Sequence, residues 1–227
     1  MLKAVLFDCD GVIADSEQLH FELFRKVLQE DLGLDLSKEE YLDKYLAMDD
    51  RGCFTSVCRD RGRPLADGDL SRLIQRKTVM FKQIAARNLV ILPGVVEFVM
   101  AVAQKYPLAV ASGALKDEVL LALSTAGLTM YFDAVVAAED VENGKPAPDA
   151  YLQALAEINK KYPGKNIQPS ECLVVEDSKH GIASARAAGM KCLAVCTSYA
   201  AGELSAADLV APLLTAVRMP DVEALFQ

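Results

Sequence analysis

The chain has 227 residues, 52% apolar and 25% charged, with a formal net charge of −8. That apolar share supports a full hydrophobic core and excludes a disordered chain; the length suits one domain with a sizeable insertion, or two unequal domains. The negative balance repels phosphate backbones and anionic bilayers, so nucleic-acid and membrane-surface binding are disfavoured. A small phosphorylated ligand is not excluded, because a local field can oppose the net one.

The first predicted element is a buried strand over residues 3–8, "KAVLFD". Its apolar run is too short for a signal peptide, and no segment of the chain approaches ~20 apolar residues, so a soluble cytoplasmic protein is expected. The strand runs into Asp8 and Asp10, which flank Cys9 and precede Gly11. Taken alone, Asp-x-Asp-Gly reads as a polar turn. At a strand end in an α/β protein it also reads as a ligand site.

Residues 16–88 show four helical patterns and no convincing strand: 16–33, 37–47, 49–62 and 70–88. In the first, Leu19, Leu23, Phe24, Val27 and Leu28 fall on one helix face and are expected in a core. The stretch is expected to be an all-helical cap (16–88) inserted into an α/β core formed by residues 1–15 and 89–227. Leaving the core beside the acid pair, it is placed to act as a lid.

From Pro93 and Gly94 onward, helices and buried strands alternate. Helical patterns cover 94–106, 115–127, 149–162 and 180–190; apolar, β-branched runs cover 108–112, 133–138, 172–177 and 191–196. Gly127 and Gly189 fall where helices should stop. The alternation predicts a doubly wound, Rossmann-like parallel sheet with helices on both faces. The six cysteines include no CxxC pair, which disfavours zinc; buried free thiols are the simpler reading.

Several strand ends carry chemistry. The second runs into Ser112 and Gly113 before a helix, the fourth ends in Glu176 and Asp177, and Lys145 lies in the loop "NGKPAPDAY". Each has an ordinary reading: Ser112 as an N-cap, Lys145 as a solvated loop residue, the acid pair as a charged strand terminus. Parallel strands place these ends along one edge of the sheet, so Asp8, Asp10, Ser112, Lys145, Glu176 and Asp177 are expected to converge. Four clustered carboxylates raise one another's pKa values unless a cation joins them, and an all-oxygen set points to Mg²⁺. With Asp10 protonated, Mg²⁺ and Lys145 leave such a set neutral. Backbone N–H groups at the helix starts near Ser112 and His180 could then help to hold a phosphate dianion.

In "FDCDGV", "ASG", "GKPAPDAY" and "VEDSKHGI", taken in that order, the sequence resembles the haloacid dehalogenase-like hydrolases. It is most similar to the branch holding β-phosphoglucomutase-like and CbbY-like phosphatases, over essentially the whole chain. The resemblance implies that Asp8 attacks phosphorus to form an aspartyl-phosphate, and that Asp10 serves as general acid and then base. It implies Mg²⁺ held by Asp8, the Asp10 backbone carbonyl, Glu176 and Asp177. Ser112, with Gly113, and Lys145 would bind the phosphoryl oxygens. His20 and Arg51 are further candidates on the substrate side, each with a plain alternative as a helix or surface residue. Dehalogenases lack the second acid, so Asp10 favours phosphoryl transfer. Residues 46–50, "LAMDD", lack the Lys-Gly-x-Ser-Arg type segment of the mutases, which favours hydrolysis of a small phosphorylated metabolite over phosphomutase activity. A catalytically silent binding protein on the same fold is the alternative from another class. The oligomeric state is left open.

Overall fold

The computed structural model describes residues 1–46 and 48–227. Strand β1 (Ala4–Phe7) is followed by the short β2 (Ala14–Asp15) and then by helices α1 (Glu17–Leu32), α2 (Lys38–Glu40), α3 (Asp50–Asp60) and α4 (Asp67–Asn88). The chain returns through β3 (Val90–Ile91) and α5 (Val95–Ala103). It then alternates as β4 (Leu108–Ala111), α6 (Lys116–Thr125), β5 (Ala134–Val136), α7 (Asp149–Lys161), β6 (Cys172–Glu176), α8 (Lys179–Ala187) and β7 (Lys191–Val195). Strand β8 (Leu209–Ala211) and helix α9 (Met219–Ala224) follow. No described helix is long and apolar enough to cross a membrane.

The main sheet is six-stranded and parallel, in the order β5-β4-β1-β6-β7-β8. From β1 the chain builds outward through β4 and β5, then crosses back to add β6, β7 and β8 on the other side. The direction reverses between β1 and β6, the topological switch point where doubly wound sheets bind ligands. Strands β1, β4 and β6 are buried along their whole length, as expected where helices cover both faces. One face carries Val5, Phe7, Val110, Val175 and Leu193 against α5 and α6. The other is lined by smaller residues, among them Ala4, Ala109, Ala111, Cys172, Cys192 and Ala194. Tyr151, Leu155 and Ile158 of α7 and Ile182 of α8 pack down onto that face.

The inserted helices have a core of their own, built on Phe24, Leu28, Tyr41, Tyr45, Phe54, Val57 and Leu73. Val27 and Leu28 join it as the helix periodicity predicts, while Leu23 turns to a small separate cluster with Phe81 and Ala85, against which Leu19 and Leu121 of α6 pack. That cluster ties α1 and α4 to the sheet domain. The predicted helix over 37–47 is only one α turn followed by a π-helical turn, Tyr41–Tyr45. Three features escaped the sequence reading: β8, a three-residue edge strand; α9, a helix of six residues; and the antiparallel pairing of the two linkers to the helical insertion as β2 and β3. All are too short to leave a periodic signal.

Candidate active site

Because β1 lies between β4 and β6, the residues just past these strands are neighbours. Asp8 follows β1, Ser112 follows β4, and Glu176 and Asp177 close β6; all are buried. Lys145 is brought in by the loop before α7, where its peptide bond to Pro146 is cis. Its ammonium donates to Asp8 Oδ1 at 2.8 Å and to Glu176 Oε1 at 2.7 Å.

Glu176 is the anchor of this side. Its Oε1 also accepts from the Tyr151 hydroxyl at 2.7 Å, and its Oε2 from the backbone N–H groups of Asp177 and Ser178 and from the Ser178 hydroxyl. Ser178 Oγ in turn accepts from Gly181 N and caps α8. Burial raises the Glu176 carboxyl, but Lys145 and these hydrogen bonds hold it below the ordinary value. A methyl group on Gly181 would stand 1.8 Å from the Glu176 carboxylate, so the helix can approach only as glycine. Gly181→Ala is therefore expected to cost about 2–4 kcal/mol, read as a fall of about 5–15 °C in the thermal midpoint. An unchanged midpoint would mean that the contact relaxes freely.

Asp8, Glu176 and Asp177 each present a carboxylate oxygen within 4.8 Å of the others. Burial pushes the Asp8 carboxyl up to about 7, against the pull of Lys145. It pushes Asp177 well above its ordinary value too, helped by the charges of Glu176 and Asp8. These carboxyls cannot all ionise comfortably by themselves. Oxygen donors, close spacing and frustrated charge are what a hard divalent cation relieves, so the set fits Mg²⁺. Asp177 is steadied by the hydroxyls of Ser198 and, at 3.4 Å, Thr197. Thr197 also donates to the Gly11 carbonyl at 2.5 Å. Gly11 has φ 72°, and a methyl group there would lie 1.9 Å from Asp177 Oδ2. Glycine is demanded twice at this turn, by conformation and by space.

Asp10 belongs to a second cluster, shared with the helical insertion. It accepts from the hydroxyl of Ser16, and His20 Nε2 lies 3.5 Å away in an ionic contact without hydrogen-bond geometry. Burial pushes Asp10 up, but His20 and Ser16 hold it, on balance, below its ordinary value. Burial and the Lys77 ammonium push His20 down, yet Asp10 keeps the imidazole above its usual value. In this pair each group thus favours its charged form. His20 is stacked on Phe81. Lys77 is fully buried, bonded to Asp50 and set over the Phe24 ring.

A cleft of about 250 Å³ lies between the sheet edge and the helical insertion. Asp8, Asp10, His20, Ser112, Gly113, Lys145 and Asp177 line it; Glu176 sits behind. Arg51 is exposed on the first turn of α3 and does not reach the cleft. The cap segment 46–50 contributes Leu46, Met48, Asp49 and Asp50 to the wall, while Ala47 lies outside the described residues. Sequence reasoning missed Ser16, Lys77, Tyr151, Ser198 and Tyr199. Only the polar run "TSY" after the last strong strand pattern offered a signal, of the same strand-end kind as the others.

A doubly wound sheet with an acid-rich switch point beneath a helical insertion defines a capped α/β hydrolase. The family model for haloacid dehalogenase-like hydrolases matches residues 5–195. Protein CbbY of Rhodobacter capsulatus is 33% identical over 223 residues, 95% of either chain. Fructose-1-phosphate phosphatase YqaB of Escherichia coli is 32% identical over 82% of this chain and 92% of its own. A crystal structure of mutant CbbY from Rhodobacter sphaeroides in complex with xylulose-1,5-bisphosphate superimposes with a TM-score of 0.83, at 24% identity, over 95% of this chain and 96% of that one. The chain belongs to the haloacid dehalogenase-like hydrolases, in the CbbY-like branch, and is a phosphoric monoester hydrolase.

Proposed function

We propose that the chain is a Mg²⁺-dependent phosphatase for small phosphorylated sugars, acting through an aspartyl-phosphate on Asp8. The observation that carries this reading is the placement of Asp8. It sits at the end of the central strand, against Lys145 and within 4.8 Å of Asp177 and Glu176, at the floor of a small capped cleft. The relatives' names point to phosphorylated sugars, and a cleft of about 250 Å³ suits a small metabolite. Residues 16–88 act as the cap and residues 1–15 with 89–227 as the core, in a cytoplasmic enzyme.

Asp8, Asp177 and the Asp10 backbone carbonyl would hold Mg²⁺, with Glu176, already engaged by five donors, shaping the site from behind. When bound, the ion neutralises charge on the transferring phosphoryl group. Lys145 and the Ser112–Gly113 turn bind the phosphoryl oxygens. An Asp8 oxygen forms a bond to phosphorus as the ester P–O bond breaks. The leaving oxygen takes its proton from protonated Asp10, beside which His20 stands. Asp10 then accepts a proton from water as that water attacks phosphorus; the Asp8–phosphorus bond breaks and inorganic phosphate leaves.

The test is phosphate release from a panel of sugar monophosphates, with Mg²⁺ and with a chelator, beside an assay for conversion of glucose 1-phosphate to the 6-phosphate. Mg²⁺-dependent release is expected, falling at least about 100-fold without the ion. Isomer conversion without net release would replace this reading with a mutase. Neither activity would leave a binding protein.

A further inference from the structure

The half of the cleft away from the phosphoryl site has an unusual charge. The helical insertion lines it with three acids, Glu17, Asp49 and Asp50, set among Phe24, Tyr41 and Met48. Among the described residues the cations facing the cleft are Lys145 and His20, and both are committed elsewhere, to Asp8 and to Asp10. Lys77 is bonded to Asp50 and has no exposed surface. A leaving group entering this space meets hydrogen-bond acceptors and negative charge.

Asp49 is the acid best placed to act on it. As N-cap of α3 it is held in an extended conformation, with Oδ1 accepting from Gly52 N at 2.6 Å. That bond fixes the side chain and leaves Oδ2 pointing across the cleft. A methyl group on Gly144 would stand 3.5 Å from Oδ2, and one on Gly113 would stand 3.9 Å from the Asp49 Cβ. Gly113 and Gly144 adjoin Ser112 and Lys145, so Asp49 lies at the rim of the proposed phosphoryl site.

We propose that Asp49 is a specificity-determining residue: it selects monophosphate esters whose alcohol carries hydrogen-bond donors, hydroxyl or ammonium, and bars a second anionic group. The assignment rests on the phosphatase reading. A hydroxyl or ammonium beside the ester donates to the free lone pairs of Oδ2. A second phosphate or a carboxylate at the same place faces the unpaired Asp49 carboxylate, with Glu17 and the Lys77-paired Asp50 beside it, and among the described residues lining the cleft no cation is free to receive it.

The test compares kcat/KM for glucosamine 6-phosphate, glucose 6-phosphate and fructose 1,6-bisphosphate, with p-nitrophenyl phosphate as a substrate that asks little of the cap. The wild-type enzyme is expected to favour both monophosphates over the bisphosphate by at least about tenfold, with the amino sugar ahead of the neutral one. Asp49→Asn keeps an N-cap acceptor but removes the charge. It should narrow the gap to the bisphosphate by about tenfold, mainly through KM. Asp49→Ser, a second cap-competent variant, should do the same. Equal use of the bisphosphate by the wild type, or ratios unchanged in both variants, would overturn the assignment. Failure of the wild type on p-nitrophenyl phosphate as well as on the sugars would instead overturn the phosphatase reading, and this assignment with it.

Discussion

Asp8→Asn is expected to lower phosphate release at least about 10³-fold while leaving the protein folded. The amide has the shape of the carboxylate but cannot form the acyl-phosphate bond, so the loss falls on kcat more than on KM. That is a barrier increase of at least about 4 kcal/mol. Stability should move the other way. Asp8 is a buried carboxyl pushed up to about 7, close to Glu176 and Asp10. Removing its charge relieves repulsion, although it also takes from Lys145 one of its two carboxylate partners. The metal-free variant should therefore melt at or above the wild-type temperature at pH 8. A variant that lost activity because it unfolded would melt lower, so the two readings separate in one preparation. Activity within about tenfold of wild type would move the nucleophile away from Asp8.

The half of this site that belongs to the sheet is legible in the sequence, for a physical reason. A parallel strand buried on both faces must be apolar throughout, so its end is marked by the first polar residue, and parallel strands put those ends on one edge. Asp8, Ser112, Glu176 and Asp177 are all such first polar residues, or lie next to one. Lys145 lies on no strand; what marks it is the Pro- and Gly-bounded loop and the family pattern. The half contributed by the helical insertion is a different matter. Helix periodicity tells which face of α1 is apolar, but not how the insertion sits on the sheet, and that docking decides which residues see the cleft. Arg51 and Asp49 show the difference. They are two residues apart, yet Asp49 takes the cap position and faces inward while Arg51, in the first turn, points to solvent. Lys77 is hidden for a related reason: a lysine within the helical pattern over 70–88 carries no mark of burial, whereas Asp50 and two aromatic rings bury its ammonium completely.

The second large effect is the joint dependence of stability on pH and Mg²⁺. Without the ion, Asp8 has a folded-state pKa of about 7 against an ordinary value of 3.8, and Asp177 is raised well above the same ordinary value. Between those values the folded chain binds more protons than the unfolded one. Stability is then highest near pH 4–5 and falls as pH rises through about 7, each group contributing a slope of at most about 1.4 kcal/mol per pH unit. His20, also raised, adds the same sign toward the upper end. Asp10 and Glu176, held below their ordinary values, act with the opposite sign, but their contribution is complete once pH has risen past the ordinary carboxylate range. Mg²⁺ held as proposed at Asp8 and Asp177 would compete with protons there, so its stabilisation should be small at pH 5 and large at pH 8. In a chelator the thermal midpoint should fall across that range; in millimolar Mg²⁺ the decline should flatten. In Asp8→Asn both the pH slope and the Mg²⁺ shift should shrink together, because one carboxyl underlies both. An equal Mg²⁺ shift at pH 5 and pH 8 would mean that the ion binds carboxylates already ionised in its absence, and would place the cation site away from this buried trio.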